Sequence, residues 1–181
     1  MKKKLRAMKR FALANSRELR FIFLFVLIFV VAQSMYYFSN SIGIPDKLQH
    51  ANAVVSASLI NSFSPGEKMT AAGRSLKSGG GSVEIGWGCE GIEGIFIIIA
   101  ALIAYSMGLR KKLLGMLIGT VFMYCLNIGR IIIIVYTMRH KPAMFDIMHI
   151  YIGQTFIIFF GVLFFVAWIH FFSSPQTPRN E

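Results

Sequence analysis

Residues 110–136 read RKKLLGMLIGTVFMYCLNIGRIIIIVY, and this stretch decides the class of fold. Three adjacent cations, Arg110, Lys111 and Lys112, open it, and an apolar run from Leu113 to Tyr136 follows. A hydrocarbon core about 30 Å thick is crossed by roughly 20 helical residues. The run is therefore long enough to span a bilayer, with its basic flank held on the cytoplasmic side as the positive-inside rule requires.

Working outward, three further apolar runs cover residues 21–38, 90–109 and 147–172. The chain has 181 residues, 55% hydrophobic and only 15% charged, a composition for which lipid is the solvent. These runs predict an all-α integral membrane protein, a bundle of about four transmembrane helices. Its formal charge of +11 is placed for topology. Eight cations (Lys2, Lys3, Lys4, Arg6, Lys9, Arg10, Arg17 and Arg20) precede the first span, and no basic face interleaved with aromatics suggests nucleic acid. The basic N-terminus is suited instead to anionic lipid.

The division is a basic cytoplasmic segment 1–20, a single membrane-embedded unit 21–172, and a short cytoplasmic tail 173–181. From an inside N-terminus, residues 39–88 form a long outer loop and residues 137–146 a short one. The first span, with its basic flank and the small-x-small triplet Ala32-Gln33-Ser34, is also the pattern of a cleavable signal peptide. Both readings leave the later topology unchanged.

Within the long loop, residues 45–63 predict an amphipathic helix on the membrane surface. Leu48, Ala51, Val55 and Leu59 recur at helical spacing, with Gln49, Asn52 and Ser56 between them. Residues 64–88, rich in Gly and Ser, read as a flexible or substrate-covering loop.

Ionisable groups inside or beside apolar spans are costly, and they are the first places to seek function. Arg130 lies six residues before Tyr136, about 9 Å below that end of the span. It can snorkel outward or face the bundle interior; Asn127, one turn earlier, favours a polar inner stripe. His149 opens the last span. His50, His140 and His170 have weaker claims by position. Cys89 sits between glycines in Gly88-Cys89-Glu90-Gly91, at the start of the second span. Cys125 lies deep in the third span, too far for a disulfide, and reads as a small packing residue.

This topology brings Cys89, Arg130 and His149, from three spans, to the same outer face. Together they offer a thiol nucleophile, a base and a cation for an oxyanion, the parts of an acyl-transfer site. No metal-ligand spacing competes, and no cofactor is called for. Glu90 and Glu93 crowd the thiol with negative charge that Arg130 or His149 must offset. Glu93 is the candidate to orient those two groups, or else a solvated interfacial carboxylate.

Three motifs, Cys89-Glu90-Gly91, Asn127-Ile128-Gly129-Arg130 and His149, in this order and on these spans, resemble the exosortase and archaeosortase family, most closely the exosortase H type. The resemblance covers roughly residues 51–172. It implies a membrane-embedded cysteine protease or transpeptidase with Cys89 as nucleophile, Arg130 as oxyanion or carbonyl partner and His149 as general acid and base. Its substrates would be exported proteins ending in a short motif, a transmembrane helix and a basic tail, cleaved at the outer face of the cytoplasmic (inner) membrane and transferred to a surface acceptor. Two other readings stand beside it: a non-enzymatic membrane assembly or export subunit in which Arg130 and Asn127 pair helices, and a thiol oxidoreductase acting on quinone.

Overall fold

The computed structural model describes residues 15–79 and 81–172. Most of the basic N-terminal segment, through residue 14, and the tail 173–181 lie outside the described residues. The chain is an all-α multi-pass membrane protein with a small sheet inserted between helices. Helix α1 covers Ser16–Phe38, α2 Ile44–Phe63, α3 Ile92–Ala104, α4 Leu109–His140 and α5 Gly153–Phe172. A π-helical turn, Ile147–Ile152, leads directly into α5. Among the described residues, three helical stretches are long and apolar enough to cross a membrane: Ser16–Ile42, Leu109–His140 and Ile147–Phe172.

The second expected span is shorter than its apolar run. Hydropathy alone gives residues 90–109, yet α3 holds only 13 residues. At 1.5 Å per residue that is about 20 Å, less than the hydrocarbon thickness. Glycines at both ends explain the difference. Gly88 and Gly91 take left-handed φ values of 81° and 79°, which delay the start of the helix. Gly108 is extended and starts α4 instead.

The basic run 110–112 gathers the helix ends into one layer. Lys112 Nζ donates to the carbonyl of Ile103 at 2.6 Å, in the last turn of α3, and Lys111 Nζ donates to the carbonyl of Phe172, the last residue of α5, at 2.5 Å. Cations on terminal carbonyls satisfy groups the helix cannot, and they complement its dipole. The N-terminus of α3 and the turn before α5 therefore lie at the opposite end of the bundle.

Two apolar cores divide the bundle along its length. Near the basic layer, Ile98 and Leu102 of α3 pack with Met123 of α4 and Ile157 and Trp168 of α5. Glycines permit the close approach. A Cβ at Gly94 would meet Met123 and Ile157 at 2.5 and 2.8 Å, and one at Gly119 would meet Ile98 at 2.7 Å. Against its neighbours α1 presents an aromatic ladder, Phe21, Phe25 and Phe29, with Phe21 stacked on Phe165 of α5 at 5.8 Å.

The second core joins α2, the sheet and the far half of α4: Ala53, Ala57, Ile60, Met69, Leu76, Ile85, Ile128, Ile131 and Val135, with Cys89 at its edge. The stretch expected to be a flexible loop folds. Strands β1 (Thr70–Ala72), β2 (Ser75–Ser78) and β3 (Gly81–Glu84) form an antiparallel meander with Leu76 opposite both Ala71 and Val83. Leu76 is its anchor, 1% exposed, a burial that contributes about 2 kcal/mol. Side chains on α2 secure the meander: Asn61 bonds both the amide and the carbonyl of Met69, and His50 Nδ1 lies 2.8 Å from the Gly73 carbonyl.

Helix α2 forms where expected, opened by left-handed Gly43, Pro45 and Asp46. Its orientation differs from a surface helix. The buried face carries Gln49, Asn52 and Ser56 beside Ala53, Ala57 and Ile60, whereas Ala51 and Leu59 are exposed. Gln49 and Asn52 point inward onto buried polar partners at Glu90. Cys125 likewise departs from expectation: it is exposed on the outside of the bundle, where α4 turns away from both cores.

Candidate active site

Where the two cores meet, the bundle turns polar. The chain enters this region through the loop from Gly86 to Gly91, in which the Cys89 amide donates back to the Gly86 carbonyl at 3.1 Å. The tight turn sends the Cys89 carbonyl toward α4, where Asn127 Nδ2 donates to it at 3.0 Å. Gly91 is obligatory here on two counts. Its φ is left-handed, and a Cβ would lie 2.4 Å from Cγ of Asn127. The Cys-x-Gly and Asn-x-x-Arg motifs are thus halves of one contact.

Arg130, one turn beyond Asn127 on the same face of α4, is also buried. Its Nη1 donates to the Gly88 carbonyl at 3.2 Å and its Nη2 lies 3.9 Å from the Cys89 sulfur. The guanidinium fits because α5 begins with glycine: a Cβ on Gly153 would meet Arg130 Nε at 2.7 Å. Nε is itself buried without a protein partner, and among the described residues Arg130 has no carboxylate within ion-pair distance. A buried cation with a donor to spare suits an oxygen that gains negative charge.

His149 stands on the π-helical turn before α5, a geometry that recurs at functional sites because it re-aims a side chain. Its Nε2 lies 2.9 Å from Cys89 Sγ, across 60 residues of sequence. Phe145 stacks on the imidazole, with centroids 5.4 Å apart and planes 7° from parallel, and holds the ring in plane. The three residues read from sequence as one site therefore converge on a single sulfur atom. Burial pushes the Cys89 thiol above its ordinary pKa; the Arg130 charge opposes this and the Glu90 charge adds to it. That direction favours the thiol form, with the imidazole nitrogen of His149 beside it.

The other histidines lie apart. His140 stacks on Tyr136, His50 holds the sheet, and His170 packs edge-on to Phe171 near the end of α5. Glu93, the candidate to orient Arg130 or His149, makes no ion pair with either among the described residues. It lines a cavity of about 170 Å³ with Gly88, Gly91, Arg130 and Gln154, closed by Phe29, Ile97 and Ile157. No group of three His, Cys, Asp or Glu side chains converges for a metal among the described residues.

Two residues that hold the site were not singled out from sequence. Asn52 Nδ2 donates to the Glu90 carbonyl at 3.0 Å, and Gln49 Nε2 donates to the Glu90 carboxylate at 2.7 Å. Asn127 and Asn52 thus hold the carbonyls of Cys89 and Glu90, and Gln49 holds the Glu90 side chain. The available signal was their spacing, a polar stripe of period three to four running beside small apolar residues on one helix.

A family model described as transmembrane exosortase matches residues 10–168, nearly the whole chain and all of this constellation. The chain belongs to the exosortase family. No curated protein and no solved structure matches it. Exosortases are membrane proteins of the sorting-enzyme family, and the matched stretch contains the Cys89, Arg130 and His149 cluster.

Proposed function

We propose that this exosortase is a membrane-embedded cysteine endopeptidase and transpeptidase that cleaves C-terminal sorting signals of exported proteins at the outer face of the cytoplasmic membrane. The observation that carries this reading is the Cys89 sulfur, 2.9 Å from a histidine nitrogen and 3.9 Å from a buried guanidinium. His149 takes the thiol proton as Sγ attacks the substrate carbonyl carbon, and the new C–S bond places the oxyanion beside Arg130. His149 returns the proton to the leaving nitrogen as the C–N bond breaks. A thioester remains, to be resolved by water or by an amine.

A substrate with a transmembrane helix and basic tail would lie alongside the bundle, its tail at the layer of residues 110–112 and its motif level with Cys89. The test is processing of a co-expressed exported protein that ends in such a signal. Cys89→Ala, inserted at wild-type abundance, should leave it uncut. Continued cleavage by that variant overturns the proposal and leaves a helix-pairing role for Arg130 and Asn127.

A further inference from the structure

A second cavity, of about 250 Å³, opens on the loop that carries the thiol. Gly88 and Glu90, the two neighbours of Cys89, line it together with Tyr36, Tyr37, Trp87 and Glu93. Three aromatic rings and two carboxylates therefore face one space. Trp87 meets Tyr36 edge-on at 5.9 Å and Tyr37 at 6.4 Å, and it is 51% exposed toward the opening. Glu90 is only 5% exposed. It accepts a hydrogen bond from Gln49, yet among the described residues it enters no ion pair. A carboxylate withdrawn from water calls for a counter-ion, and among the described residues no basic side chain lines this cavity to supply one.

Rings and carboxylates select the same ligand. An aromatic face attracts a cation through its quadrupole, and a carboxylate attracts it directly. An anion would be repelled, and a neutral ligand would leave Glu90 uncompensated. Two acceptor groups further favour a cation with N–H donors over a fully alkylated one.

We propose that this cavity binds a primary ammonium group, and that the group is the amine which takes the acyl chain from Cys89. The second half rests on the thiol-transfer reading above. Glu93 lines both cavities, the one beside Arg130 and this one, and so stands between ammonium and thioester. The bound ammonium gives one proton to the Glu93 carboxylate, and the freed lone pair attacks the acyl carbon. As the C–N bond forms and the C–S bond breaks, the second proton passes through His149 to the departing sulfur. The products are an amide and the Cys89 thiol, and the Glu93 proton is released to water. The amine can come from a lipid head group at the membrane surface or from a soluble acceptor.

The pocket is tested without catalysis. The full-length Cys89→Ala chain, in phosphatidylglycerol nanodiscs that contain no amine, is titrated with n-butylammonium and followed by Trp87 fluorescence. The only other tryptophan, Trp168, is buried in the distant core, and a parallel Trp87→Phe titration subtracts its signal. Saturable binding should appear for n-butylammonium and not for 1-butanol, and Glu90→Gln should weaken it about tenfold or more. If Glu90→Gln fails to fold, Trp87→Ala, at an exposed position, should abolish binding measured by calorimetry. Equal binding of the alcohol, or full binding by the folded variants, overturns the pocket.

Nanodiscs containing phosphatidylethanolamine identify the source: competition with butylammonium assigns the pocket to a lipid head group, its absence to a soluble amine. With the wild-type chain and an exported substrate, added butylamine should appear as an amide on the new C-terminus. Cleavage without that adduct, while butylammonium still binds, overturns the acceptor role and leaves the protease reading intact. Loss of all cleavage dependence on Cys89 overturns the protease reading itself.

Discussion

Gly91 stands against the side chain of Asn127 so closely that a single added carbon would lie 2.4 Å from the asparagine Cγ. Residue 91 must also hold a φ of 79°. Gly91→Ala should therefore combine the left-handed penalty of about 1–2 kcal/mol with displacement of Asn127. Thermal unfolding in detergent should fall and processing should be lost. Gly66→Ala, where an added Cβ meets nothing within 4 Å, should leave both unchanged.

Asn127 is the donor that holds the Cys89 carbonyl, so shape can be separated from donation. Asn127→Asp keeps the shape, removes the amide donor and buries a negative charge beside the thiol turn. Stability should drop by at least the cost of an unsatisfied buried group, about 1–3 kcal/mol. A variant with unaltered unfolding and unaltered processing would show that the Asn127–Cys89 hydrogen bond is idle.

The pH dependence follows from burial. Because the Cys89 pKa is raised, the thiolate is scarce at neutral pH and grows as pH rises through that elevated value. Iodoacetamide alkylation, measured in a Cys125→Ser background, should accelerate with pH to a midpoint above 9.0, the ordinary value. Arg130→Gln removes an opposing positive charge and should move the midpoint up, whereas Glu90→Gln should move it down. A midpoint below 9.0 in the parent would overturn the burial argument, and one below neutral pH would mean that the resting site already holds a thiolate.

Loss of the base should cost rate and spare folding. His149→Gln should reduce processing by about 10²–10⁴-fold, the usual span for general acid–base groups, with insertion unchanged. Parallel loss of abundance would instead assign His149 a structural role.

Orientation is open to labelling, provided the probe is not the buried thiol. In a chain lacking both native cysteines, Ser82→Cys on the exposed strand β3 should react in intact cells with a membrane-impermeant maleimide. Arg110→Cys, in the basic layer, should react only after lysis. The reverse pattern would place the site on the cytoplasmic side and remove exported proteins as substrates.

Much of the site was legible because its parts carry local signals. Arg130 and Asn127 interrupt an apolar run, Cys89 sits among glycines, and His149 opens a span; each departs from its own neighbourhood in a way a window of residues reveals. The basic run 110–112 likewise announces a helix-end layer before any contact is known. Glu90 was legible only as a charge beside the thiol, since its partners Gln49 and Asn52 lie 41 and 38 residues away.

By itself, then, the sequence determined an α-helical membrane bundle and the order in which Cys89, Arg130 and His149 enter it. Hydropathy and charge act residue by residue against lipid and water, so no distant partner is needed to read them. Tertiary structure alone decided that α3 is cut short, that strands β1, β2 and β3 form a sheet, that Cys125 faces outward and that Gln49 and Asn52 of α2 point in. A polar stripe satisfies its hydrogen bonds equally well in water or on a buried carboxylate. Only the packing of α2 over the Cys89–Glu90 turn selects between them.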